Sequence, residues 1–327
     1  MTAVVDVRQA VKTFVQSGAF PWSNSVDVHA VRGVDLVVEQ GEVVALVGQS
    51  GSGKTTLSRM ILGLEEPTSG EIYLGGNRWS GISERERHPY RVDYQYVPQD
   101  AMSALDPQQT ALEHVVETLK SLRGLSGAEA EESAKEMLNR LGLGERFMAL
   151  PREMSGGEQR RITLARVLSL TPKLVVADEP TSGLEPDRRE AVLRDLIGNL
   201  PKEAGCVLVT HDMGVARKWA NRCLVMLDGR VIEELDLRQS EPTHPYSMLL
   251  FNPWEHPVPE GELSKTGCPF QGDCARFRDN PSAPCASTLP ELTSSTQKSH
   301  RVACHLPEIS ANLSHEVKST EVNNEDA

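Results

Sequence analysis

The sequence predicts an α/β protein with a helical segment set into its middle and a small cysteine-rich extension toward its C-terminal end. Three observations carry this reading. The continuously apolar run Val43-Val44-Ala45-Leu46-Val47 ends in a glycine-rich stretch and gives way to a helical pattern. Residues 110–142 hold helical periodicity without strand signals. Beyond Leu235 the pattern changes, prolines recur and four cysteines cluster.

Taken in order, residues 28–37 read as a strand, and the EQGE turn leads to the β-branched run at 43–47, as for a strand buried on both faces of a sheet. Leu57, Ile61 and Leu64 stand at helical spacing within 54–64. Leu112, Val115, Val116, Leu119 and Leu122, and then Ala130, Ala134, Met137, Leu138 and Leu141, mark two amphipathic helices over 110–122 and 128–142. Further buried strands are predicted at 173–177, 206–210 and 223–227, with Asp228-Gly229 as a turn. These elements place one domain over residues 1–238, with a helical subdomain at about 100–165, and the extension over 239–308. Residues 309–327 are polar, acidic and aperiodic, the composition of a disordered tail.

Of the 327 residues, 39% are hydrophobic and 24% charged, the balance of a soluble globular protein. No run reaches the ~18 apolar residues that cross a bilayer, and the first residues lack a basic segment followed by an apolar core. A cytosolic location is the expectation. Asp plus Glu total 46 against 34 Lys plus Arg, a net charge of -12 that argues against nucleic acid as a partner. Six cysteines in such a compartment are read as core packing or metal ligation rather than disulfides.

Gly48-Gln49-Ser50-Gly51-Ser52-Gly53-Lys54-Thr55 fits G-x-x-x-x-G-K-[ST], with Thr56 next in the helix. Such a loop wraps consecutive N–H groups around phosphate oxygens at a helix N-terminus; the lysine reaches the β and γ phosphates and the Thr55 hydroxyl ligates Mg²⁺. The run Leu174-Val175-Val176-Ala177 ends in Asp178-Glu179. After a phosphate loop, Asp178 is a candidate for the Mg²⁺ shell and Glu179 for polarising the attacking water.

Between these elements lies Met154-Ser155-Gly156-Gly157-Glu158-Gln159, which resembles the LSGGQ signature of ATP-binding cassette (ABC) ATPases. Val97-Pro98-Gln99-Asp100 resembles the Q-loop of that family, Thr181-Ser182-Gly183-Leu184-Glu185 the D-loop, and Val209-Thr210-His211-Asp212 the switch-histidine segment. The resemblance spans about residues 5–235 and implies a P-loop ABC ATPase fold, a mixed sheet core with an inserted helical subdomain, using ATP and Mg²⁺. It further implies that Ser155, Gly156, Gly157 and Glu158 close on the nucleotide of a facing cassette, that Gln99 serves Mg²⁺ and senses the membrane partner, that Glu179 activates water, and that His211 meets the γ-phosphate. Phe14 matches the aromatic that stacks on adenine, with Phe20 and Trp22 as competitors. The signature departs from the family at Glu158, and the D-loop at Glu185, where Asp is usual.

Pro242-Thr243-His244-Pro245-Tyr246-Ser247 resembles the element that follows the cassette in dipeptide, oligopeptide and nickel importers. Gly267-Cys268-Pro269-Phe270, Cys274, Cys285 and His300-Arg301-Val302-Ala303-Cys304-His305 then follow the cysteine-bearing extension of that subfamily. The spacing C-x5-C-x10-C-x18-C allows an all-thiolate zinc ion, an iron-sulfur cubane or unligated thiols, with His300 and His305 as alternative ligands. Resemblance to the subfamily favours [4Fe-4S], although the second gap is longer than its pattern. Cys206 and Cys223, in predicted strands, read as small buried hydrophobes.

The implied function is the ATP-hydrolysing subunit of an importer of di- or oligopeptides, peripheral on the cytoplasmic face of the cell membrane. Its implied partners are a second cassette, identical or related, two transmembrane permease subunits docking on the helical region, and an extracytoplasmic solute-binding protein. The alternatives are a nickel or metal-chelator importer, a soluble cassette protein of DNA repair or translation, and a redox- or metal-sensing module built on the cysteines.

Overall fold

Along the chain, β1 (Ala3–Gln16), β2 (Val26–Glu39) and β3 (Val43–Val47) lead into α1 (Lys54–Ile61), followed by β4 (Ser69–Leu74), β5 (Asn77–Arg78), α2 (Glu84–Arg87) and β6 (Tyr94–Val97). Three helices come next: α3 (Ala111–Arg123), α4 (Gly127–Arg140) and α5 (Gly156–Leu168). The chain then alternates through β7 (Leu174–Asp178), α6 (Pro186–Ile197), β8 (Gly205–Thr210), α7 (Met213–Trp219), β9 (Arg222–Leu227) and β10 (Arg230–Asp236). The extension adds α8 (Pro245–Phe251), α9 (Ala275–Asp279), β11 (Thr293–Ser294) and β12 (His300–Val302). This computed structural model describes residues 3–16, 25–100, 103–252, 263–297 and 299–306. Phe20, Trp22 and the acidic tail from 309 onward lie outside the described residues.

Two sheets form. The larger has the order β11-β12-β10-β9-β3-β8-β7-β6, parallel from β9 to β6 and antiparallel from β9 to β11, so it is mixed. The smaller is antiparallel, in the order β2-β1-β4-β5.

β3 explains why the central strand is apolar at every position. Val44 and Leu46 join the core shared with the smaller sheet and α1, whereas Ala45 and Val47 face a different core built with α7, α8 and the cysteine-bearing segments. In β7 and β8 the alternation divides the same way: Val176 and Val207 belong to the first of these cores, Val175 and Leu208 to a third one with α3, α4 and α5. The periodic residues Val115, Leu119, Ala130, Ala134 and Leu138 are the buried faces of α3 and α4.

The helices begin where their caps dictate. Thr110 with Glu113 and Ser126 with Glu129 form reciprocal capping boxes at α3 and α4. Helix α1 stops at Ile61, before Leu64, because the chain turns at Gly63, whose φ is 65°.

Several strands go beyond the sequence reading: β1, β4, β6 and β10. In β1 the register slips between Val7 and Ala10, where Gln9 takes a φ of 46°. That irregularity puts Val5, Val7 and Ala10 into one core while destroying the period-two pattern. β6 is only four residues long, YQYV, below the length at which alternation can be counted.

The extension is not a detached appendage. Glu233, Glu234 and Leu235 of β10 pair with Val302, Arg301 and His300 of β12, so the larger sheet runs on into it. Tyr246, Leu250, Phe251, Cys268, Phe270, Cys274 and Cys285 share one core with Val47 and Val225.

Candidate functional site

The glycine loop follows β3 and caps α1 with backbone conformations open only to glycine. Gly51 and Gly53 take φ of 81° and 102°. A Cβ on Gly53 would stand 2.3 Å from the Ala30 carbonyl oxygen, and one on Gly48 would stand 2.4 Å from that of Met226. Side chains are thereby excluded where the loop passes between β2 and the end of β9. The Lys54 ammonium, buried behind the loop, donates to the carbonyl oxygens of Gly48 (2.8 Å) and Gln49 (2.7 Å). Burial pulls its pKa below the usual lysine value, while Glu179 and Asp178 oppose that shift.

The loop opens onto a cleft of about 900 Å³. Gln49, Ser50, Gly51, Gly53, Lys54, Thr55 and Thr56 form one wall, and Gln99, Glu179 and His211 stand across from them. The parallel strands make this convergence. β3, β6, β7 and β8 lie side by side and point the same way, so the segments leaving their C-terminal ends all reach one edge.

At the end of β7, Asp178 is 2% exposed, with Thr55 Oγ1 donating to one carboxylate oxygen (3.3 Å) and the Tyr96 hydroxyl to the other (3.1 Å). Burial raises its pKa, and the two hydroxyls pull it back. Glu179 follows with φ of 46°, a left-handed conformation that few non-glycine residues adopt. Its carboxylate stands between the Gln99 amide, which donates over 3.3 Å, and His211 Nδ1 at 3.4 Å.

Four participants were invisible to sequence reasoning. Tyr96 holds Asp178 from the short strand β6, and the phenol is kept protonated by burial and by that carboxylate. Arg189 of α6 pairs with Asp212 at 2.6 Å, tying the segment after β7 to the one after β8. Arg32 reaches Asp228 at 3.2 Å, and with His29 both line the cleft. Tyr246, from the extension, accepts the Gln49 N–H through its hydroxyl at 2.9 Å. None of these contacts has a local signature, although Tyr246 lies in the recognised Pro242–Ser247 element, because each acts across more than twenty residues of sequence.

Phe14 is not among the residues lining the cleft: it pairs with Val28, and the Lys12 ammonium lies 4.8 Å from its ring centroid. Ser155, Gly156, Gly157 and Glu158 are also absent from its walls. They form the start of α5, where Ser155 Oγ accepts from the Glu158 N–H and Glu158 accepts from both the Ser155 N–H (2.8 Å) and its hydroxyl (2.9 Å). The variant Glu158 is thus the fourth residue of a capping box, S-x-x-E, a pattern legible in the sequence but not recognised from it. Glu185 is the exposed N-cap of α6.

The four extension cysteines are free thiols gathered in one region, and Cys268 feels the other three. Burial pushes the Cys268 thiol up to about 11 and raises Cys285 and Cys304 as well. The expected metal centre is not reproduced as a single-ion site: among the described residues no three His, Cys, Asp or Glu side chains come together closely enough to hold a metal ion. A tetrahedral zinc with Zn–S of ~2.3 Å needs its sulfurs in mutual contact. A cubane, whose thiolates bind different irons, spaces them more widely. The two histidines named as alternative ligands have other partners. His300 bonds Glu233 at 2.7 Å, and His305 meets the Thr288 carbonyl at 2.8 Å. Cys206 and Cys223 are fully buried in β8 and β9, as small core residues.

No helix among the described residues is long and apolar enough to cross a membrane. The family profile described as ABC transporter matches residues 31–182. The di/tripeptide transport ATP-binding protein DppF of Pseudomonas aeruginosa is 35% identical, over 93% of this chain and 98% of its own length. The oligopeptide transport ATP-binding protein AppF of Bacillus subtilis is 33% identical, over 93% of this chain and 97% of its own. A solved dimeric ATP-binding cassette, in a post-hydrolysis state with ADP and phosphate, is 34% identical with a TM-score of 0.63; it covers 72% of this chain and all of that one. The shared ground with that cassette stops short of the whole chain, whereas the two bacterial relatives reach into the cysteine-bearing extension. The chain belongs to the ATP-binding proteins of the ABC transporter family.

Proposed function

We propose that this chain is the ATP-hydrolysing subunit of an importer of di- and oligopeptides, working peripherally on the cytoplasmic face of the cell membrane. The observation that carries the reading is a division within one chain. The phosphate loop, Glu179, Gln99 and His211 line one cleft, with Asp178 buried against Thr55 of the loop, while the helix N-terminus at Ser155 is not among its walls. One copy holds half of a composite site, and a second cassette brings its Ser155, Gly156 and Gly157 to the nucleotide.

In this mechanism the loop N–H groups and Lys54 bind the β and γ phosphates of ATP. Thr55 and Asp178, already 3.3 Å apart, together with Gln99, would hold Mg²⁺, which would neutralise developing charge on the phosphates. Glu179 orients water in line with the γ-phosphorus. As the new P–O bond forms, the bond to the bridging oxygen breaks, ADP leaves with that electron pair, and the water proton passes toward Glu179. His211 meets the γ-phosphate. Closing and reopening of the two copies is what the permease subunits turn into alternating access. Adenine would stack on Phe14, which does not line the cleft itself but is the cross-strand neighbour of Val28, which does.

Peptide as the transported solute is supported by the relatives' names and by the extension shared with them; the permease pair and the extracytoplasmic binding protein are what an importer built on this ATPase would require. A strain lacking this chain should lose uptake of a labelled dipeptide and regain it with wild-type protein but not with Glu179→Gln. Full uptake in the deleted strain would overturn the reading. For the four cysteines the reading is a [4Fe-4S] cluster, supported by four free thiols gathered in one region, three of them buried and Cys304 half-buried. Iron and acid-labile sulfide in anaerobically purified protein at about four of each per chain is the expected outcome; colourless protein without iron would remove it.

A further inference from the structure

Tyr246 belongs to α8, outside the cassette motifs, yet its hydroxyl is hydrogen-bonded inside the phosphate loop, to the N–H of Gln49 at 2.9 Å. The residue is 1% exposed and has no freedom to leave: its ring packs edge-on against Phe270, 5.6 Å between centroids at 69°. Phe270 is itself fixed. It lies between Cys268 and Cys274, and the Cys268 N–H donates to the Cys285 carbonyl at 2.8 Å. Gly267, at φ of 68°, comes so close to the Cys285 carbonyl that a Cβ would stand 2.2 Å from it. On the other side, the His244 ring accepts the Tyr246 N–H at 3.1 Å, and the N–H groups of Thr243 and His244 are held by the buried carboxylate of Glu233 in β10. The Tyr246–Phe270 pair therefore joins the cysteine-bearing segment to the loop.

The bond meets a particular need. Gln49 is the second residue of the loop, and a bent loop leaves N–H groups with no partner in a strand or helix. A buried N–H left without a partner costs free energy, and a mobile loop start would blur the cradle behind it. A phenol hydroxyl delivered from a packed helix satisfies the donor and holds the loop at that point.

We propose that Tyr246 is a positioning residue of the nucleotide site, held by Phe270, through which the C-terminal extension sets the affinity of the phosphate loop for ATP. The proposal rests on the reading of the loop as the ATP site and adds a residue and a module to it. Neither the loop motif nor the ATPase activity requires such a link, because the solved cassette that covers 72% of this chain is covered over its entire length by the match.

The test is nucleotide binding to full-length protein by calorimetry, with the poorly hydrolysed analogue ATPγS, alongside steady-state ATPase assays. Tyr246→Phe keeps the ring and its packing and removes only the hydroxyl. It should weaken binding about two- to tenfold, the span of one net hydrogen bond, and raise KM in parallel, with kcat at saturation nearly unchanged. Phe270→Leu should weaken binding in the same direction, and the double variant should fall short of the product of the two effects, because both act through one contact. Unchanged affinity in Tyr246→Phe, with only the melting temperature lowered, would overturn the proposal and leave Tyr246 as core packing. Should Tyr246→Phe fail to fold, Phe270→Leu decides alone: unchanged affinity there defeats the link. Failure of wild-type protein to bind ATPγS would instead defeat the nucleotide-site reading, and this inference with it.

Discussion

Glu179 is held in a conformation that costs free energy, of the order of 1 kcal/mol for a non-glycine residue in the left-handed region. What keeps it there is its own N–H, which donates to the Val209 carbonyl of β8 at 3.0 Å, and the two polar groups flanking its carboxylate, Gln99 and His211. The strain aims one carboxylate at the cleft while Asp178, one residue earlier, stays buried against Thr55 and Tyr96. Two adjacent acids thereby acquire different surroundings. Glu179→Gln preserves shape and hydrogen bonding but removes the proposed base. Turnover should fall at least ~10²-fold while ATP still binds, and light scattering of that variant with MgATP should show a stable dimer. Normal turnover would mean that another group activates water. Lys54→Ala should act earlier, weakening nucleotide binding itself. An unchanged dissociation constant would contradict the role of the loop.

At the scale of elements, two helix starts have distinct consequences. Ser155 caps α5 and Glu158 closes the box, so the signature is a rigid helix N-terminus before any partner arrives. Ser155→Ala should cost about 1 kcal/mol of stability, the usual value of an N-cap, and should abolish the ATP-dependent dimer of the Glu179→Gln background. A dimer that persists would remove Ser155 from the composite site. His244 caps α8 with a neutral ring: full burial drops its pKa to about 4, with Glu233 resisting that shift. The folded-state pKa lies below the unfolded one, ordinarily about 6.5. The unfolded chain therefore takes up the proton first, and stability is complete above about pH 6.5 and lost as pH falls toward 4. The loss is at most about 1.4 kcal/mol per pH unit in that window. Glu233 works in the same direction. Burial alone would raise its pKa, but hydrogen bonds led by His300 bring it below the ordinary carboxylate value, so its contribution is also lost on acidification. His244→Asn, which retains a cap acceptor, should flatten the fall in melting temperature between pH 6.5 and 5. An equally steep fall would assign it to other groups.

Over the whole molecule, three cores meet on one sheet, and each serves a different task. One packs the smaller sheet and α1 beneath the phosphate loop, one carries the helical region, and one receives the extension. Because β12 continues the larger sheet and Tyr246, Leu250 and Phe251 fill the third core, the extension contributes to the stability of the ATPase part. Phe251→Ala should destabilise the full chain by about 3 kcal/mol, within the range for buried aromatic truncations, and a chain ending at residue 240 should melt lower still, read by circular dichroism. Truncation without loss of melting temperature would show the two parts to be independent.

The sequence by itself determined the local chemistry. The phosphate loop, the Asp178-Glu179 pair, the apolar strands and α3 and α4 are written within a few neighbouring residues by glycine requirements and periodicity, and Gln99, His211 and the Ser155 string by short motifs that resemble those of a known family. Even the capping role of Glu158 was legible three residues from Ser155. Tertiary structure alone decided what depends on distant chain segments. It brought four strand ends to one edge so that Gln99, Glu179 and His211 share a cleft with Lys54, and it left Ser155 outside. It supplied Tyr96, Arg189 and Tyr246, whose partners lie 82, 23 and 197 residues away. It also concealed β1, because the slip at Gln9 that fits the strand to its neighbours erases the alternation by which a strand is read. Local rules are recorded along the chain, whereas register and convergence arise from packing, which a linear pattern does not encode.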